Sequence, residues 1–236
     1  NDYIFGGGPG PIWQKQGLAY LKEKVTHFTV KQLDAGNIEV LINLESKSSK
    51  GYSVNSSFKY TVSGDGQIEV EVNFDPEKAV WLLPKLGIIM EMPTGFEHVN
   101  WFGAGPHENY RDRKSSAFIG LYHKTVNEMT EAYIRPQDMG NRSDTRWFTL
   151  SNDQGKGIKI SGEALNFSAL HHLPTDLDQA NHPYELVYRG ETIITIDAAH
   201  NGLGGGSCGP GPMEQYQLKT EPITLQFSIE PFAPGR

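Results

Sequence analysis

The run Tyr52-Ser53-Val54-Asn55-Ser56-Ser57-Phe58-Lys59-Tyr60-Thr61-Val62, then Gly64-Asp65-Gly66, then Ile68-Glu69-Val70-Glu71-Val72-Asn73-Phe74, decides the fold class. Tyr52, Val54, Phe58, Tyr60 and Val62 share one parity, and Ser53, Asn55, Ser57, Lys59 and Thr61 take the other. Successive strand side chains point to opposite faces, so a period of two means one buried face and one wet face. Beyond the glycine-rich turn the alternation resumes, with Ile68, Val70, Val72 and Phe74 set against Glu69, Glu71 and Asn73. Two such runs around Gly-Asp-Gly predict a β-hairpin with a single apolar face.

Outward from the hairpin, further strands are predicted at 26–33, 37–45, 84–92, 97–102, 145–150, 157–161, 164–170, 192–198, 214–218 and 222–230. Turn chemistry separates them at short intervals. Over 236 residues this pattern predicts an all-β fold, one large antiparallel sandwich domain over residues 1–236. Residues 9–21 predict a short helical turn with Trp13, Gly17 and Leu18 as its packing marks. Two stretches, 103–144 and 171–184, read as long loops, which in compact β proteins go with function or an interface.

The net charge of −7 leaves no basic face to neutralise phosphates, which argues against a nucleic-acid partner. No apolar run approaches the roughly twenty residues of a membrane-spanning helix, so no membrane partner is expected. The lone cysteine, Cys208, excludes an internal disulfide and leaves the compartment, cytoplasmic or periplasmic, open. No leader is visible, and because the sequence opens on Asn1 its true start is expected upstream.

Three polar stretches invite a chemical reading. Around Trp101–Arg113, Gly103 and Gly105 permit close backbone approach, Pro106 fixes a bend, and Glu108 is placed to pair with Arg111 or Arg113. That combination suits either a sugar-facing loop or a structural corner. Around Tyr133–Trp147, Arg142, Asp144 and Arg146 alternate at strand spacing and would line one surface together, for a sugar, a partner or a salt-bridged edge. From Ile196 to Pro212 a strand runs into a glycine-rich loop with neither a Gly-Lys-Ser/Thr nor a following helix, so it is no phosphate loop. So many glycines imply flexibility or a backbone pressed against another surface. Cys208 at the tip has no evident base, which argues against a nucleophile. His171 and His172, with Asp176, Asp178 and His182, sit close in sequence, but proximity does not supply the convergence a metal needs.

Taken together, WFGAGPHENYRDR (101–113), YIRPQDMGNRSDTRW (133–147) and HNGLGGGSCGPG (200–211) resemble, in order and spacing, the C-terminal small-chain domain of β-galactosidases of glycoside hydrolase family two. The opening Asn1-Asp2 and the Trp13…Gly17-Leu18 segment resemble positions already inside that domain. The sequence is therefore expected to be an N-terminally truncated piece of it. The resemblance implies a large antiparallel super-sandwich related to galactose mutarotases. It also implies a parent that hydrolyses terminal β-D-galactosides such as lactose, with two catalytic glutamates in a TIM barrel elsewhere in the polypeptide. The 236 residues would then hold no catalytic residue, no metal ligand set and no cofactor.

By the same resemblance, the loop 200–212 reaches the barrel mouth, and His200, Asn201, Ser207 and Cys208 are the substrate-binding candidates. Many members place a tryptophan at the position held here by Cys208. A thiol offers less contact area, which implies a weaker grip on the aglycone. Asn1 to Gly8 resembles a mobile loop bordering the same entrance. The implied partners are the barrel-bearing remainder of the polypeptide, a galactoside, and further copies of the parent in a homo-oligomer. The rival reading is a free-standing carbohydrate-binding module or an aldose mutarotase-like protein. A mutarotase needs a histidine and a carboxylate converging on the sugar, with His171, His172, His182 or His200 beside Glu185 or Glu191 as candidates.

Overall fold

The computed structural model describes residues 9–80, 82–205 and 209–235. Its strands are β1 (Leu21–Gln32), β2 (Asn37–Ser48), β3 (Ser53–Ser63), β4 (Ile68–Pro76), β5 (Lys85–Met92), β6 (Phe96–Gly105), β7 (Phe118–Thr125), β8 (Arg142–Asn152), β9 (Gly157–Leu170), β10 (Thr192–His200) and β11 (Ile223–Phe232). Among the described residues, helix is confined to α1 (Gly10–Gln16), α2 (Pro174–Gln179) and three single 3-10 turns. The all-β expectation holds, and every strand pair whose register is defined is antiparallel. The described residues fall into two compact units.

The first unit comprises the described residues up to Leu86 together with Ala198–Phe227. Its strands run in the order β1-β2-β3-β4, with β11 beyond β4. The predicted hairpin is β3–β4, registered Phe58 to Val72 and Tyr60 to Val70. Ser63 and Gln67 close its turn through a 2.9 Å backbone bond, and Gly66 adopts φ 92° there, a backbone other residues resist. Val54, Val70, Val72 and Phe74 are buried on the apolar side, joined by Leu225 and Phe227 of β11. Protection fades toward β1, where every residue after Leu21 is exposed and Val25, Phe28 and Val30 are each more than half open to solvent. The helical turn at 9–21 is α1, ended by Gly17 in the left-handed region at φ 71°. Trp13 fixes it by donating its indole N–H to the Leu82 carbonyl at 2.8 Å.

The second unit is Gly87–Asp197 with the described residues from Ser228 on. Its strands follow the order β7-β6-β8-β9. One edge of β9 is divided, with Gly157–Ser161 pairing β11 and Asn166–Leu170 pairing β10. Residues 157–161 and 164–170, read from sequence as two strands, are therefore one strand, irregular at Ala164, whose φ is 53°. The core packs Trp101 edge-on to Phe167, which stacks on Phe148 at 4.1 Å.

Three other expectations change. The 103–144 loop contains β7, an edge strand with Phe118 and Leu121 largely exposed. Its apolar side chains lack the one-sided burial that alternation would have signalled. The 171–184 loop contains α2. Residues 214–218 are no strand but a 3-10 turn, Glu214–Tyr216.

Candidate functional site

The first signature stretch, at the end of β6, folds as a buried polar corner in the second unit. Glu108 is only 4% exposed. Its carboxylate accepts from the Tyr110 hydroxyl at 3.0 Å, the Gly140 N–H at 2.9 Å, the Arg113 guanidinium and the Tyr133 hydroxyl. Of the two arginines offered by the sequence, Arg113 is the partner. Burial first, and then the Glu108 charge, push the Tyr110 phenol well above its ordinary value. With every lone-pair direction engaged, Glu108 has none left to serve as nucleophile or general acid.

Asn109, fully buried, is the hub that sequence reading missed. Its side chain accepts from the Ser143 N–H at 2.9 Å and donates to the Ala104 and His107 carbonyls. Its backbone N–H donates to the Asn141 carbonyl, and its own carbonyl accepts from the Asn141 amide at 2.7 Å. Two loops some thirty residues apart are thereby stitched into one. A glycine is needed at 103 because a Cβ there would lie 2.5 Å from the Thr145 hydroxyl. The available signal was an Asn following a Gly-Pro bend, a residue whose side chain readily hydrogen-bonds nearby backbone.

Arg142, Asp144 and Arg146 do not share a surface. Register shifts in β8 at Arg142/Thr145 and Thr145/Trp147 break the alternation, and Asp144 takes φ 52°. Arg142 turns fully inward over the Trp101 ring and donates to the Gly140 carbonyl at 3.0 Å. Burial pulls its guanidinium down to about 10, against the opposing pull of Glu131 and Glu108. Asp144 pairs outward with Lys114 at 2.6 Å, and Arg146 is exposed beside Phe102.

The histidines also separate. His171 is buried, with Nδ1 at 3.1 Å from the Glu191 carbonyl and Nε2 at 3.0 Å from the Glu97 carboxylate. Its carboxylate partner is therefore Glu97, not Glu185 or Glu191. His172 faces the Val187 carbonyl, and His182 pairs with Glu185 at 3.0 Å on the surface. Asp176 caps the start of α2 by accepting from the Leu173 N–H, and Arg189 grips it through two bonds of 2.6 and 2.9 Å. That guanidinium holds the Asp176 carboxyl below its ordinary value. Among the described residues no three His, Cys, Asp or Glu side chains converge as a metal-ion set.

The glycine-rich loop lies in the first unit, and its root is built from backbone bonds. His200 and Asn201, both 8% exposed, lie where the strand enters it. The Asn201 N–H donates to the Pro84 carbonyl at 2.8 Å, and its side-chain oxygen accepts the Leu218 N–H at 3.0 Å. Gly202 donates to the Tyr216 carbonyl at 2.7 Å, and Leu83 to the Leu218 carbonyl at 2.9 Å. Higher up, Gly205 donates to the Pro210 carbonyl and Gly209 to Gly205. Gly204, at φ 64°, comes so close that a Cβ would lie 2.6 Å from the Pro212 nitrogen. The glycines thus let the loop press its backbone against itself. Ser207 and Cys208, like Asn1 to Gly8, lie outside the described residues.

Compared with protein families, residues 1–229 match the beta galactosidase small chain family, and the protein belongs to it. It is 32% identical to a β-galactosidase of Priestia megaterium over 211 residues, 89% of its own length and 19% of that relative. To a β-galactosidase of an Arthrobacter species it is 31% identical over 235 residues, 94% of its own length and 23% of the relative. One from Vibrio cholerae matches at 31% over 89% of the present sequence and 20% of the relative. The 236 residues thus span about a fifth of the length of these curated relatives. Among solved structures, a putative aldose 1-epimerase of Escherichia coli aligns with 88% of the present sequence and 69% of its own, at 11% identity and a TM-score of 0.43.

Proposed function

We infer that the protein is the non-catalytic small-chain domain of a β-galactosidase, and that residues 200–212 form part of the wall of that enzyme's substrate pocket. The intact enzyme would hydrolyse terminal β-D-galactosides such as lactose, with its catalytic glutamates in a barrel carried by the rest of the polypeptide. The observation that carries this reading is the family match along residues 1–229, with only about a fifth of each relative covered. The root of the loop supports it. Asn201 is bonded to the Leu218 N–H and His200 is buried, so both belong to the loop's base. The corner's Glu108 carboxylate is engaged by its own partners and so is not itself offered as a reactive group. The remaining polypeptide, a galactoside and sister subunits are the partners of this reading, in one large super-sandwich domain.

The experiment is lactose kinetics of the intact enzyme carrying Cys208→Trp. If an aromatic face on sugar C–H groups is worth about as much as an aromatic pair, about 0.5–1.5 kcal/mol, KM for lactose falls about two- to tenfold. Unchanged KM and kcat would remove the wall role. The 236-residue protein by itself is expected to leave a chromogenic galactoside intact and not to accelerate galactose mutarotation; either activity overturns the reading.

A further inference from the structure

The wet face of the β3–β4 hairpin and its neighbours carries a groove of about 570 Å³. That volume lies within the roughly 300–1,000 Å³ usual for small-molecule sites. Register sets its layout: Asn43 of β2 faces Ser57 of β3, Ser57 faces Asn73 of β4, and Asn55 faces Asp75 one row along. All of these line the groove, together with Thr224 of β11. Asn43, Asn55, Asn73, Asp75 and Thr224 are exposed.

We propose that this groove is a carbohydrate-binding subsite that takes a mono- or disaccharide by its hydroxyl groups. Amide side chains donate and accept at adjacent atoms, matching sugar hydroxyls that do the same, and the Asp75 carboxylate adds a pure acceptor. Neighbouring strands stand about 4.8 Å apart, a spacing on which one pyranose ring spans two side chains of a row. The row is partly set in advance: Thr224 Oγ1 donates to Asn73 Oδ1 at 2.6 Å, which leaves the Asn73 amide to donate to Ser57 and Glu71. Asn43 and Asn55, both exposed, line the groove and extend the row.

The same chemistry argues against other occupants. A peptide strand needs a free sheet edge, whereas β2, β3 and β4 each have a strand on both sides. A phosphate or nucleic acid would meet Asp75 and no lysine or arginine among the lining residues. Pro222 and Ile223 supply a short apolar flank for sugar C–H groups. Phe74, the aromatic among the lining residues, is 5% exposed and gives no stacking platform, so binding belongs in the millimolar range.

The test is a heteronuclear NMR titration of the isotope-labelled 236-residue protein with lactose and with galactose, and with mannitol as an acyclic polyol control. Saturable shifts are expected at Asn43, Asn55, Ser57, Asn73, Asp75 and Thr224 for the cyclic sugars only. The double variant Asn55→Ala/Asp75→Ala should weaken binding about tenfold, the loss of two hydrogen-bonding groups. Thr224→Val, which frees the Asn73 amide, should weaken it about threefold at an unchanged melting temperature, and it carries the test if the double variant melts early. Non-saturable shifts, equal shifts with mannitol, shifts confined to 200–212, or undiminished affinity in the variants would each overturn the subsite. None of these results bears on Cys208→Trp in the intact enzyme, so the groove and the loop wall stand or fall separately.

Discussion

The stretches 103–113 and 200–212 read alike, both rich in glycine and proline with a few polar side chains, and they are built in opposite ways. In the first, side chains hold the backbone. Glu108, Asn109 and Arg142 are turned inward, and each bonds to backbone of its own or the facing loop. In the second, backbone bonds dominate among the described residues, with the Asn201 and Gln217 side chains also bonding to backbone. The difference teaches that glycine and proline content sets only how tightly a polypeptide can turn. Whether the result is a fixed corner or a supported loop depends on the charged and amide groups packed beneath it. A corner of the first kind spends most of its polar side-chain groups on itself, while the described root of the second rests mainly on backbone bonds.

The sharpest way to break this contrast is Glu108→Ala. It leaves the Gly140 N–H and Tyr110 hydroxyl buried without an acceptor and removes the charge facing Arg113, so unfolding stability should fall by about 3 kcal/mol or more in urea titration. A loss under about 1 kcal/mol would mean that the corner is held by its apolar packing instead. Asn201→Ala should cost less, about 1–2 kcal/mol, because the Leu218 N–H loses its partner while the backbone bonds remain. Limited proteolysis between 202 and 213 should accelerate in that variant while the 103–113 region stays resistant. Cleavage appearing equally at both would erase the distinction.

The smallest effect concerns pH. Because the Arg189 guanidinium depresses the folded Asp176 carboxyl, its contribution is present above the unfolded value of about 3.9 and is lost as pH falls through the lower folded value. Urea midpoints measured at pH 7 and near pH 3 should therefore differ less in Asp176→Asn than in the parent protein. An identical difference in both would show that Asp176 adds nothing to acid sensitivity.

The hairpin was legible because its two strands are neighbours in sequence and only one face is covered, so alternation and burial coincide. β7 escaped for the converse reason: at the edge, Phe118, Ile119 and Leu121 are all exposed, and no parity is buried. In the corner, Glu108 and Arg113 are close enough in sequence to be paired on paper, whereas Tyr133 and Gly140 reach Glu108 across a fold that no local pattern encodes. Arg142 misled because bulges in β8 reset the face on which each side chain emerges. The polar row Asn43, Ser57 and Asn73 was present in the alternation but read simply as wet. Only register revealed that the three stand side by side.

β1 has a practical consequence of its own. Twelve residues long, at the end of its strand order and exposed after Leu21, it has among the described residues a paired strand on one side only, with Val25, Phe28 and Val30 open to solvent. Such a seam recruits strands from other molecules, and Lys22, Lys24 and Lys31 are the charges placed to repel them. Neutralising those three lysines would turn a clear preparation into a sticky one before any pocket was disturbed.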